Sequence, residues 1–202
     1  MYNKLVIGID QSYTRTGIGL AVDNKLLMVK TIDYKNLSNN SAKRLLTQNT
    51  INKIITQNKH KVKEIIIIVE RIRTFTGGDH SLRPAYIKTT AALIASIVDT
   101  AYLHNVKVYS VATISWKTQV LGTAKIQDRH KYEIKPEKML AIEFIKKLGF
   151  DVYDRNNKGE IKYSVRGKHK SKIKYNDDAC DSGCIALYGF ILQKKQCLHL
   201  EE

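Results

Sequence analysis

Five consecutive β-branched residues occupy positions 65–69, Ile-Ile-Ile-Ile-Val, with no polar residue among them. A strand with one wet face alternates apolar and polar side chains, so an unbroken apolar run marks a strand covered by helices on both sides. That condition predicts a parallel layer with this segment at its centre. The flanking pattern agrees. Residues 5–10 are short and β-rich, 11–16 form a turn region, and 17–22 read as a second strand. After a tight turn at Asp23, Asn24 and Lys25, residues 26–32 return as a third, which makes a meander whose first strand should lie parallel to 65–69.

Helical spacing of Leu45, Leu46, Ile51, Ile54 and Ile55 predicts a crossover helix over 41–58. A second helix, over 84–103, is rich in small and apolar side chains, and residues 106–109 give a fifth strand. Residues 115–131 carry no clear pattern. Pro136 and Gly149 supply a start and a stop for a third helix over 136–147. A polar, basic stretch at 151–175 predicts a mobile loop, and a buried last helix follows over 177–193. That order predicts an α/β fold: a five-stranded mixed sheet with helices on both faces.

A length of 202 residues with 43% hydrophobic content supports one well-buried core, hence a single domain over 1–202. The 34 Lys and Arg against 19 Asp and Glu leave a formal charge of +15, which favours a polyanionic partner, nucleic acid before anionic membrane. The excess of Lys over Arg, with abundant Ile and Asn, also fits a coding bias toward A and T. Three cysteines, Cys180, Cys184 and Cys197, give no disulfide pattern and predict a reducing compartment. Cys180 and Cys184, one helical turn apart, read as small core residues before soft-metal ligands. With no signal peptide and no run long enough to span a membrane, the expectation is a cytoplasmic protein without membrane contact.

Against this positive background four acids stand out. Asp10 ends the first strand, Glu70 ends the apolar one, and Asp178 and Asp181 open the last helix. A buried carboxylate costs several kcal/mol, roughly, unless a positive charge compensates it, and no Lys or Arg adjoins Asp10 or the Asp178/Asp181 pair in sequence. Side chains alternate along strands, so Asp10 shares a face with Val6 and Gly8, and Glu70 with Ile66 and Ile68. If their strands are parallel neighbours, both acids sit beyond the C-terminal sheet edge, where ligand crevices of open α/β sheets form. Asp178 and Asp181 share a helix face that continues through Ile185 and Leu192 toward the sheet.

Each acid also has a plainer reading. Asp177 and Asp178 complement a helix dipole behind an Asn176 cap, Asp10 starts an Asx turn, and Glu70 pairs with Arg71 or Arg73. Jointly, acids from three converging segments favour a cluster for hard cations, magnesium or manganese. Two such ions, roughly 4 Å apart, would clamp a scissile phosphate. The residues thus predict a metal-dependent phosphoryl-transfer enzyme acting on nucleic acid.

The pieces Ile7-Gly8-Ile9-Asp10 with Thr16-Gly17-Ile18-Gly19-Leu20, then Ile68-Val69-Glu70, then Asp178-Ala179-Cys180-Asp181 ahead of Ile185-Ala186 run nearly the length of the chain. In order and spacing they resemble the RuvC-type Holliday junction resolvases of the RNase H-like superfamily, with a bacteriophage member as the expected kind. The resemblance implies an RNase H-like nuclease domain in which Asp10, Glu70, Asp178 and Asp181 are catalytic and bind two Mg2+ ions, with Mn2+ able to substitute. It implies a homodimer that nicks opposed strands of four-way and other branched DNA, leaving 5′-phosphate ends, in the cytoplasm of a bacterial host. Lys117 and Lys125 follow the fifth strand where the family contacts phosphate. Phe75 stands where the family sets an aromatic against an unstacked base, and equally where a loop would anchor itself.

Lys168, Lys170 and Lys172 are further expected DNA contacts, in a basic stretch longer than a bacterial resolvase needs. Dimerisation is expected on the helix over 84–103. Two rivals remain at this stage: an RNase H-like nuclease acting on RNA or RNA–DNA hybrid, and a non-catalytic branched-DNA binder. Retention of all four acids disfavours the binder, since acid beside phosphate weakens binding.

Overall fold

The structure, a computed structural model, describes residues 1–37, 39–72, 84–122, 136–164 and 172–192. Five strands, β1 (Tyr2–Gln11), β2 (Arg15–Val22), β3 (Lys25–Asp33), β4 (Val62–Glu70) and β5 (Lys107–Val111), form one mixed sheet in the order β3-β2-β1-β4-β5. The β1–β2–β3 meander is antiparallel, and its Asp23-Asn24 turn takes positive φ at both residues (46° and 70°), the geometry that matches the twist of a tight hairpin. β4 pairs parallel with β1 and with β5, as the unbroken apolar run requires.

Strand alternation deals the sheet into two cores. Leu5, Ile7, Ile9, Ile67 and Val69 face α1 (Asn40–Asn58) and α2 (Pro84–Tyr102), packing with Ile51, Ile55, Leu93 and Ile97. Val6, Ile66 and Ile68 face α3 (Thr113–Leu121), α4 (Pro136–Lys147) and α5 (Asp177–Tyr188), meeting Trp116, Ile145, Cys184 and Ile185. Full burial of each such isoleucine contributes about 1.5–3 kcal/mol, so β4 gains from both layers at once.

Four expectations need correction. α1 turns Lys43, Thr47, Ile51, Ile54 and Ile55 inward, while Leu45 and Leu46 are exposed. Helix α3 lies in the stretch that carried no clear pattern: its β-branched Thr113, Ile114, Thr118 and Val120 disfavour helix locally, and the wholly buried Trp116 anchors it. The described part of 151–175 is also not a bare loop. Antiparallel bridges Tyr153–Tyr175, Arg155–Ile161 and Tyr163–Ile173 fold it into a ladder, and the Tyr153 and Tyr175 rings stack with centroids 5.6 Å apart. The last helix ends at Tyr188, several residues earlier than the pattern suggested.

The feature that positions the site is the seat of α5. A β-carbon at Gly17 would overlap the Asp178 carbonyl, one at Gly19 the Ser182 carbonyl, and one at Gly8 the backbone of Ser182 and Ala186. The helix therefore lies on bare sheet backbone, its first turn over β2 and its middle over β1. Asn176 caps it by accepting a hydrogen bond from the Ala179 amide at 3.4 Å.

Candidate active site

Ile9 lies beside Val69 in the parallel β1–β4 register, so Asp10 and Glu70 end neighbouring strands on the face that carries α5. Asp10 is also opposite Gly17 in the β1–β2 register, and Gly17 is the residue over which Asp178 is seated. Sheet pairing and helix seating thus bring acids from β1, β4 and α5 to one place. Their fields register on one another. Burial holds the Asp10 carboxyl well above the usual carboxylate range, with further upward pressure from Glu70, Asp181, Asp178 and Asp177 in that order. Burial raises Asp181 to about 8, opposed by Lys117 and reinforced by Glu70. Asp178 is likewise raised by burial, against the pull of Arg15.

Positive groups, absent from the sequence neighbourhood of the acids, arrive through the fold, so side chains share the compensation that the sequence left to hard cations. Arg15, at the start of β2, donates through Nε to Asp178 Oδ2, through Nη2 to Asp177 at 2.7 Å and through Nη1 to Asp154 at 3.3 Å. Lys138 from α4 donates to Asp177, and Lys162 donates to Asp154 at 3.0 Å. The result is an alternating chain of charge that ties the 151–175 ladder to the first turn of α5. Breaking a largely buried pair by removing one partner costs about 3–5 kcal/mol, so Arg15 is a framework element as well as a neutralising one. Asp177, whose position in the first turn also complements the helix dipole, is a member of this network.

The Thr113 hydroxyl donates to Glu70 Oε1, and the Gln11 side-chain amide donates to the Glu70 carbonyl. With Arg15 on Asp178 and Thr113 on Glu70, no three acidic, His or Cys side chains among the described residues stand as a group that could hold a metal ion. The donor set nevertheless fits a hard divalent cation. It is all carboxylate oxygen, Asp181 Oδ1 is buried without a hydrogen-bond partner, and Asp10, Asp178 and Asp181 are all pushed toward protonation, chiefly by burial and further by one another's charge.

Asp10 and Asp178 open onto a cavity of about 1260 Å³. Asp10, Arg15, Asp177 and Asp178 form one wall; Lys162, Lys172 and Lys174 of the ladder, Lys35 after β3, Lys43 of α1 and Lys138 of α4 supply further positive charge. Lys117 is buried beside the cluster, its charge acting on Asp181 and its ammonium 5.2 Å from the Trp116 ring centroid. Of the residues expected to touch DNA, Lys117 and Lys172 are thereby brought to the site. Lys125, Phe75, Lys168 and Lys170 lie outside the described residues.

Sequence reasoning missed Arg15, Thr113, Lys138 and Tyr86. Tyr86, in the first turn of α2, lines the cavity, and its hydroxyl is raised by burial and then by the negative charge of Asp10. A signal existed for Arg15 alone: it stands two residues before Gly17, hence on the same face of β2. Cys180 and Cys184 are buried free thiols in the α5-side core, held up by burial, which agrees with their reading as core residues.

No protein-family model matches the sequence, and no curated protein sequence matches it either. Solved structures do match in fold, and the class they define is the RuvC-like, RNase H-like α/β fold. The RuvC structure of Thermus thermophilus superposes with a TM-score of 0.55 at 16% identity, over 93% of this chain and 96% of that one. T. thermophilus RuvC in complex with a Holliday junction substrate gives 0.52 at 12% identity over 94% and 96%, and the yeast mitochondrial Holliday junction resolvase Ydc2 gives 0.52 at 14% over 93% and 78%.

Proposed function

We propose that this chain is a divalent-metal-dependent endonuclease for branched DNA, four-way junctions foremost, that hydrolyses one phosphodiester on each of two opposed strands. The observation that carries the reading is the convergence of Asp10, Glu70, Asp178 and Asp181 from three elements into one electrostatically coupled cluster, of which Asp10 and Asp178 line a cavity whose remaining walls are rich in lysine. The fold shared with a bacterial and a mitochondrial resolvase supports the choice of branched DNA as substrate. We further infer one nuclease domain that works as a homodimer in the cytoplasm of a bacterial host, as a phage-encoded protein would. The outer face of α2, with Ala91, Ala95 and Tyr102 exposed, is the surface for that contact.

Asp10, Glu70, Asp178 and Asp181 would hold two Mg2+ ions, or Mn2+ in their place. When bound, these ions supply activation of the attacking water and stabilisation of the leaving oxygen. The chain's own groups do the rest. Thr113 and Arg15 each fix one oxygen of a ligand carboxylate, which limits how it can turn. Lys117 offsets the charge of Asp181 until the cluster is loaded. Lys162, Lys172 and Lys174 hold the phosphate backbone, and each neutralised phosphate adds to the salt dependence of binding.

One assay tests this: cleavage of a four-way junction, a fork, a linear duplex and an RNA–DNA hybrid, with magnesium, calcium or chelator, by wild type and Asp10→Asn. Magnesium-dependent nicking of the junction, absent in the variant, is the expected result, with calcium supporting binding but poor hydrolysis. Preference for the hybrid would move the protein to another branch of the same chemistry. Metal-independent cleavage would end the proposal.

A further inference from the structure

Tyr13 lies three residues beyond Asp10, in the turn between β1 and β2, so its backbone is at most about 10 Å from that acid. It is 42% exposed and lines the same cavity. One face of its ring is already taken. The Lys43 ammonium sits 3.9 Å from the ring centroid and donates to the Tyr13 carbonyl at 3.0 Å. Lys43 is only 5% exposed, and a second ring, Tyr34, stands 6.0 Å from the same ammonium. Tyr34 is fixed in turn, donating to the Thr16 hydroxyl at 2.8 Å and sharing a 2.6 Å hydrogen bond with the Thr47 hydroxyl.

A cation held on one face and anchored to the same residue's backbone immobilises an aromatic ring without covering its other face. Lys35, Lys172 and Lys174 line the same cavity and can take the phosphates on either side of whatever the ring receives. Cations for the backbone and a pre-fixed ring for a base is the combination by which proteins hold single-stranded nucleic acid.

We propose that Tyr13 is a base-stacking subsite: its open face receives an unpaired nucleobase of the strand being cut, next to the phosphate at Asp10, and Lys43 is the prop that sets the ring. The subsite rests on the branched-DNA reading above. The ring is expected to select for an unstacked base there, independent of its identity, since every base presents a π face. Substrates with a flexible, open branch point are thereby favoured over continuous duplex.

The test uses the full chain carrying Asp10→Asn, so that DNA stays whole, and four-way junctions with 2-aminopurine at successive positions about the branch point. Stacking on Tyr13 should quench one position. Tyr13→Leu in that background should abolish this quenching and weaken junction binding by about tenfold, with unchanged melting temperature and unchanged salt slope. Tyr13→Phe and Tyr13→Trp keep a π face and should retain both quenching and affinity, while Lys43→Met should reduce quenching at the same position. Tyr13→Leu binding and quenching like its parent, or losing binding together with thermal stability, overturns the subsite alone. A parent that binds neither junction nor single strand overturns the branched-DNA reading and the subsite with it.

Discussion

The two walls of the cavity are built on opposite principles. The acidic wall is rigid: its side chains project from strand ends and from a helix seated so close to the sheet that single methyl groups at Gly8, Gly17 or Gly19 would not fit. The basic wall is a ladder of isolated bridges whose Tyr163, Ile173 and Lys174 face solvent. Chemistry at a phosphorus atom depends on sub-ångström placement, whereas holding a backbone of repeating charge does not. On the proposed function, the same cavity separates positioning from binding, and substitutions on the two walls should fail in different ways.

The largest effect is expected at the acids themselves. On the proposed function, Asp10→Asn and Glu70→Gln each remove a carboxylate from a set asked to supply several kcal/mol of transition-state stabilisation, so cleavage should fall by about a thousandfold or more. Junction binding should hold or improve, because repulsion between acid and phosphate falls. Single-turnover cleavage and gel-shift titration separate the two, and a variant that turns over like wild type would remove its residue from the cluster.

Gly17→Ala tests whether rigidity is what the acidic wall needs. Its methyl must displace the Asp178 carbonyl, and overpacking of this kind costs about 1–3 kcal/mol. For a chain of this size that lowers the melting temperature by roughly 2–4 °C per kcal/mol. Cleavage should drop tenfold or more at temperatures where the variant is fully folded, since Asp178 and Asp181 move with the helix. Equal activity in folded wild type and variant would show that the seat of α5 stabilises without positioning.

How far the two walls were legible follows from the same contrast. The convergence of Asp10, Glu70, Asp178 and Asp181 could be read because strand alternation, strand ends and three-residue helix spacing are local rules, and local rules hold where the backbone is regular. The central strand was legible in Ile65 to Val69 for that reason. Lys138 and Thr113 come from separate elements and meet the acids only through tertiary packing, which no spacing encodes; strand alternation puts Arg15 on the face of Gly17, but its partners on α5 are set by packing. Helix α3 escaped because Trp116 overrides the weak helix preference of its β-branched neighbours. The ladder escaped because its few bridges join residues as distant as Tyr153 and Tyr175 within a polar stretch, and such pairing leaves no period in the sequence.

A smaller effect is expected on the basic wall. Replacing Lys162, Lys172 and Lys174 together by Gln should lower the slope of log affinity against log salt by about 0.9 for each phosphate no longer neutralised, roughly 2–3 in all. Cleavage at saturating protein should change little. Filter binding at several salt concentrations measures the slope, and a slope equal to wild type would take the ladder out of the DNA-binding surface. A matching loss of single-turnover rate would instead mean that the ladder positions DNA as strictly as the acids do, and the division between the walls would collapse.

The smallest effect concerns stability of the metal-free protein, and it reads the burial that sets the acidic wall apart. Asp181 ionises at about 8 in the folded chain and Asp10 well above its usual range, in both cases chiefly through burial, against about 3.9 when unfolded. Between about pH 4 and 8 the unfolded chain therefore binds fewer protons than the folded one. Stability falls as pH rises across that window and levels off above the folded value. Asp181→Asn removes this liability. In chelator its melting temperature should exceed that of wild type by a few degrees at pH 8, with the gap closing toward pH 4. Magnesium supplies from outside what the proton supplies from within, so adding it should stabilise wild type more at pH 8 than at pH 6 and stabilise Asp181→Asn less at both. Melting curves at pH 5, 6.5 and 8, with chelator and with magnesium, decide the matter. A variant that parallels wild type throughout would mean that Asp181 ionises in the folded chain as it does in water.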